Sequence, residues 1–142
     1  MNLLPAKVLS AEGGRAKLGL DAGSGAELEL AAKGARAGDI VTVGVRPEAL
    51  EVIAAGRPVP AGLTVLAAKV ESVERLGNIT FAYLDGGTPE VITVQVVGQF
   101  EVEPGQQVQV GMRVGQVHVF DQAGAVMAGS RRLKDPADAG KP

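Results

Sequence analysis

Few residues in this chain are of the kinds that carry acid-base, nucleophilic or metal chemistry, and their spacing argues against most of it. The one histidine, His118, stands between Val117 and Val119, whereas a zinc site or a nucleophile-base pair needs further partners. That setting predicts an imidazole packed or hydrogen-bonded on the far face of a strand. Ser10, Ser24, Ser72 and Ser130 lack any nucleophile-elbow context. With no cysteine, disulfides and thiolate chemistry are excluded, which fits a reducing compartment. No Gly-x-x-x-x-Gly-Lys-Ser/Thr loop occurs, and Gly34–Gly38 lacks both the lysine and a following helix, so ATP is not bound by that route. Glu71, Glu74 and Arg75 could form an acid-base group, but on a strand they read better as a solvated face. The polypeptide is expected not to be an enzyme.

Arg46-Pro47-Glu48 is the sharpest local cluster. A planar guanidinium pairs directionally, which allows two readings. Either Arg46 closes a corner of the fold on a carboxylate such as Glu48 or Glu51, or the cluster is a subunit contact. Arg113 recurs without Pro-Glu after it, which favours the internal pair.

The elements that must position these residues come as a repeat. Gly38–Val52 reappears 67 places on as Gly105–Val119, with Gly38, Val41, Val43, Gly44, Arg46 and Val52 matching Gly105, Val108, Val110, Gly111, Arg113 and Val119. Upstream, Ala6-Lys7-Val8 returns as Ala68-Lys69-Val70. Shared order at near-constant spacing predicts two related units. In each, alternate valines line one face of a strand, while Gly44 and Gly111 interrupt the other. Glycine there predicts a bulge, a sharp bend or a close backbone approach, as where two barrel-like units turn the same corner.

Composition agrees with an all-β chain of short strands. The 142 residues are 46% hydrophobic but only 3% aromatic, with 20 glycines and 8 prolines, so the core must be aliphatic and the turns many. Strands are expected at Ala6–Ser10, Ala16–Leu20, Glu27–Leu30, Val41–Val45, Leu50–Ile53, Leu63–Glu74, Ile79–Leu84, Val91–Val97, Val108–Met112, Val117–Phe120 and Ala125–Met127. The organisation read from this is a first half at 1–55, a linker at 56–62, a second half at 63–129 and a disordered tail at 130–142. Two separate barrels would each be marginal, so shared strands are expected. A formal net charge of −2 and scattered cations offer no groove for a polyanion, and Phe81, Tyr83, Phe100 and Phe120 make no stacking platform, so no nucleic acid is expected. Neither a signal peptide nor an apolar run of membrane length is apparent.

Four segments in order carry a resemblance. Gly44-Val45-Arg46-Pro47-Glu48, Val73-Glu74-Arg75-Leu76-Gly77, His118-Val119-Phe120-Asp121 and Met1-Asn2-Leu3-Leu4-Pro5 resemble the C-terminal regulatory region of ATP-binding subunits of carbohydrate-type ABC importers, the maltose and glycerol-phosphate group. The resemblance implies tandem oligonucleotide/oligosaccharide-binding-like (OB-like) barrels, called TOBE or MOP-like. It makes Arg46, Pro47, Glu48, Glu74, Gly77, His118, Phe120 and Asp121 family motif or interface positions. It also implies a homodimer, a nucleotide-binding domain in cis that holds ATP and Mg, and permease subunits reached through that domain. A regulatory protein partner and a cytoplasmic place at the inner face of the membrane complete the implied setting. This chain itself would hold no cofactor. Because Met1 aligns with an internal family position, the chain is expected to be part of a longer subunit. The alternative is a free-standing MOP-like module for a small oxyanion such as molybdate.

Overall fold

A computed structural model describes residues 1–22, 25–98 and 102–128. The expected tail at 130–142, and Phe100, lie outside them. Among the described residues eleven strands form two sheets. The first sheet has the order β11 (Val126–Ala128), β10 (His118–Phe120), β4 (Ile40–Val45), β1 (Asn2–Glu12), β2 (Arg15–Leu20), β3 (Glu27–Ala31). The second runs β5 (Leu50–Ala54), β9 (Gln107–Met112), β6 (Thr64–Leu76), β7 (Ile79–Asp85), β8 (Ile92–Val97). The chain is therefore all-β, and each sheet is curled. In the second, the opposite edges β5 and β8 come back into contact.

The alternation read from the sequence is what folds the strands. Leu4, Ala6 and Val8 on β1, Leu18 and Leu20 on β2, and Val41, Val43 and Val45 on β4 all point inward. So do Leu66, Ala68 and Val70 on β6 and Val108, Val110 and Met112 on β9. These belong to one continuous aliphatic core, in which each buried valine or leucine contributes about 1.5–3 kcal/mol. β1 is longer than expected, starting at Asn2 rather than Ala6, because its first residues pair with β4 through Asn2↔Val45 and Leu4↔Val43.

The repeat extends to backbone detail. Gly38 N–H donates to the Val8 carbonyl (2.8 Å) while Val8 N–H donates to Asp39. At the matching place Gly105 N–H donates to Val70 (2.7 Å) and Val70 N–H donates to Gln106. Gly38 and Gly105 adopt φ of 94° and 88°, a region that side chains disfavour, which is why glycine opens both copies. Register shifts at Val8/Ser10 and Val70/Ser72 also coincide.

The corner itself differs from expectation. Both ladders run without a shift through Gly44 and Gly111, and the chain turns just after them, in 3-10 turns at Pro47–Ala49 and Val114–Gln116. What requires glycine is a covering side chain. A Cβ at Gly44 would come within 2.6 Å of Met1 Sδ and 2.9 Å of a Phe120 ring carbon. At Gly111 it would meet Leu63 Cδ1 at 2.8 Å and Ile53 Cδ1 at 3.4 Å.

After each corner the chain crosses over. β5, which follows the first corner, pairs with β9 of the second repeat, and β10, which follows the second corner, pairs with β4 of the first. The shared strands are a reciprocal exchange. Each corner also rests on an edge strand of the other repeat, Pro47–Ala49 on β8 and Val114–Gln116 on β3.

Candidate functional site

The eight motif residues fall into two groups. Arg46, Pro47, Glu48, His118, Phe120 and Asp121 gather around β4 and β10, whereas Glu74 and Gly77 lie on the β6–β7 hairpin of the other sheet. In the first group, His118 is opposite Gly44 and Phe120 opposite Thr42. Their rings, two residues apart on the outer face, stack with centroids 6.4 Å apart and planes inclined by 19°. Val117 and Val119 face the core.

Arg46 and Glu48 are both exposed, and Pro47 starts the turn. The internal pair expected for Arg46 is not formed. Glu51 instead pairs with Arg113, Oε2 to Nη2 3.4 Å, because β5 lies directly against β9 in the exchanged sheet. Arg113 Nη1 also donates to the Ala61 carbonyl at 3.4 Å. Among the described residues Arg46 makes no ion pair. The position that matches Glu51 in the other repeat is His118, so the first corner sets an imidazole where the second has a carboxylate.

Asp121 and Gly77 close turns. The Asp121 Oδ1 accepts from the Ala123 and Ala125 N–H groups, both at 2.9 Å, and Gly77 has φ 67° at the hairpin tip. The Glu74 carboxylate accepts a 3.0 Å hydrogen bond from the Tyr83 hydroxyl. That bond holds the phenol proton and raises the Tyr83 pKa above its ordinary 10.0.

The structural roles of two residues, Asn2 and Arg75, escaped the sequence reading. Asn2, 7% exposed, ties the sheets together. Its Nδ2 donates to the carbonyls of Val45 (3.2 Å) and Thr93 (2.8 Å), and its Oδ1 accepts from Thr93 N–H (2.7 Å). The signal was present, since Asn2 heads the inward series continued by Leu4, Ala6 and Val8, and a polar residue there must find partners. Arg75 closes one end of the second barrel, donating to the Val102 carbonyl (3.0 Å) and pairing with Glu103 (3.8 Å).

Clefts among the described residues include one beside β4 and β11 and one where β6, β7 and β9 meet. One of about 260 Å³ is lined by Asp39, Ile40, Asp121 and Met127, among others. The other, about 380 Å³, is lined by Lys69, Asp85, Gly86, Gly87 and Gln107 with Ala67 and Ala68. Among the described residues no cluster of histidine, aspartate and glutamate is placed to hold a metal ion, and no helix is long and apolar enough to cross a membrane.

Comparison with known proteins places this geometry. A TOBE domain profile matches residues 43–120 and a MalK OB fold domain profile matches residues 1–50. The lactose transport ATP-binding protein LacK of Rhizobium radiobacter is 36% identical over 127 residues, covering 87% of this chain and 33% of that protein. The sn-glycerol-3-phosphate import ATP-binding protein UgpC of Chromohalobacter salexigens is 36% identical over 89 residues, 62% of this chain and 23% of that protein. This chain thus spans a third or less of these relatives. The molybdate-bound structure of the cytoplasmic molybdate-binding protein ModG superposes with a TM-score of 0.65 at 18% identity, covering 83% of this chain and 94% of that one, a likeness of fold.

Proposed function

The chain belongs to the TOBE domain family, and on that premise we propose that it is the non-catalytic regulatory and dimerisation region of the ATP-binding subunit of a sugar-type ABC importer. The observation that carries the reading is the 36% identity to a lactose transport ATP-binding protein, which runs through both repeats. In this role a nucleotide-binding domain in cis holds ATP and Mg and reaches the permease subunits. The present region sits on the cytoplasmic side of the membrane, pairs with its copy in the second subunit and receives any regulatory protein. Arg46, Glu48 and His118, polar motif groups exposed or half-exposed around the first corner, serve this reading as contact positions.

The interlocked sheets suit such a task, because a load on one repeat is passed to the other through paired backbone rather than through side chains alone. Pure 142-residue chain is expected to hydrolyse no ATP and to self-associate weakly in sedimentation. Measurable ATP turnover would overturn the assignment.

A second reading, a small-oxyanion module, draws on the fold shared with a molybdate-binding protein. The cleft with Asp39 and Asp121 has two carboxylates and no cation, whereas the other sets Lys69, Gly86, Gly87 and Gln107 beside a single carboxylate, Asp85, so the second is the place to look. Molybdate titration by calorimetry separates the two. Submicromolar binding that Lys69→Ala weakens would promote the second reading.

A further inference from the structure

The strand blocks β1–β2–β3 and β6–β7–β8 are matched position by position, and their outer faces have diverged. Aligning the pairs Val8↔Leu18 and Val70↔Leu84 makes Glu12, Arg15 and Lys17 the counterparts of Glu74, Phe81 and Tyr83. In the first block the cations are used locally. Glu12 stands opposite Arg15 on the ladder, Arg15 Nε lies 3.7 Å from Glu29 Oε2 and Lys17 Nζ 4.0 Å from Glu27 Oε1.

In the second block Glu74 stands opposite Phe81 instead. The carboxylate has been kept, both cations have gone, and two half-exposed rings stand in their place. Those rings are two residues apart on one strand, hence about 7 Å from each other. Aliphatic groups continue the face, with Leu76 54% and Val97 71% exposed and Ile79 between them on the ladder. Among the described residues neither Glu71 nor Glu74 has a cationic partner.

We propose that the outer face of β6–β7–β8 docks a protein segment presenting an arginine between aliphatic residues. Charge complementarity selects it. An anionic partner meets Glu71 and Glu74. A purely apolar one buries Glu74 without compensation, and a second copy of the same face brings like charges together. A guanidinium instead stacks on Phe81 or Tyr83 while forking to the Glu74 carboxylate, and its aliphatic neighbours cover Leu76 and Val97. Arginine is preferred to lysine because the site rewards a planar donor. The inference goes beyond the transporter assignment and stands without it.

The test uses a reporter already in place, since the chain has one tyrosine and no tryptophan. The probe is the peptide acetyl-Leu-Arg-Ala-Leu-Arg-amide, titrated into the 142-residue chain while tyrosine emission is followed. The expected result is a saturable change as the guanidinium draws Glu74 from the Tyr83 hydroxyl. Binding weakens as salt is raised, falls about tenfold with Glu74→Gln or Phe81→Ala, and is unmoved by Arg15→Ala on the other face. The same peptide with citrulline for arginine is expected not to bind, a control independent of any variant's folding. The proposal is overturned by no response at millimolar peptide, by equal binding of the citrulline peptide, or by affinity indifferent to Glu74→Gln and Phe81→Ala. It is overturned equally if sedimentation finds the face occupied by a second copy, with Phe81→Lys dissolving the dimer.

Discussion

The two repeats share their backbone almost bond for bond and differ in what they do with the surface. The β1–β2–β3 block neutralises itself through cross-strand ion pairs between exposed side chains. The β6–β7–β8 block carries rings and a carboxylate at the corresponding places, and a hairpin two rungs longer, turning at Gly77-Asn78 rather than Gly13-Gly14. One scaffold can thus be duplicated for stability and then specialised on one copy only. The inward residues are aliphatic in both apart from Met112 and the buried polar Asn2 and Thr80, because the shared core penalises change there, while outward positions are free to diverge.

The same asymmetry holds at the seams, where substitutions test it most strongly. Asn2 and its counterpart Thr64 both bond across to the other repeat, but Asn2 is buried with three bonds whereas Thr64 makes one exposed bond of 3.3 Å to the Glu27 carbonyl. Asn2→Leu is expected to cost about 3 kcal/mol, since it takes their Asn2 partner from the buried Val45 carbonyl and from the part-buried Thr93 N–H and carbonyl. Thr64→Val is expected to cost about 0.5 kcal/mol or less. Denaturant melts of both would break the comparison if the two losses were equal.

The glycines come next. Gly44→Ala is expected to lose about 1–2 kcal/mol, because the new methyl meets a Phe120 ring as well as Met1. Gly111→Ala is expected to lose less, because the nearest atom is the end of a Leu63 side chain. Thermal melts rank them, and the reverse order would mean that the outer cover of β4 is looser than that of β9.

A smaller effect, read spectroscopically, concerns Tyr83. Its hydrogen bond to Glu74 raises the pKa above 10.0, so the phenol stays neutral in the folded chain where it ionises in the unfolded one. The contribution to stability is present below pH 10.0 and is lost as pH rises through the higher folded value. Ultraviolet titration of this single tyrosine is expected to show the raised value, and Glu74→Gln to lower it. An unchanged titration would remove the hydrogen bond from the description of the face. Smallest of all, Arg15→Ala on the salt-bridged face is expected to change stability by under about 1 kcal/mol and to lose even that in high salt.

Much of this arrangement was legible in the sequence. The paired Val-x-Val-Gly-x-Arg strands, the hairpins at Gly13-Gly14 and Gly77-Asn78, and the aliphatic core follow from period two and turn chemistry. What period two cannot give is the neighbour. Leu50–Ala54 and His118–Phe120 each follow a Val-x-Val strand of like pattern, so nothing local tells β5 to pair with β9 or β10 with β4. That gap accounts for the misassigned arginine, since Glu51 reaches Arg113 only because of the exchange. The aromatics were noted in the sequence only as too few for base stacking. Placing Phe81 and Tyr83 on one outer face, against Lys17 and Arg15 on the other, required the register.

The crossed strands also decide how the molecule comes apart. A protease that nicks the chain between Ala54 and Thr64 cuts no ladder, since both sheets are built from pieces on either side of the cut. The product is expected to be a non-covalent heterodimer that stays closed, since each sheet takes strands from both fragments. Unfolding then becomes dependent on concentration, so the continuous chain acts as a tether that sets a high local concentration of one repeat for the other.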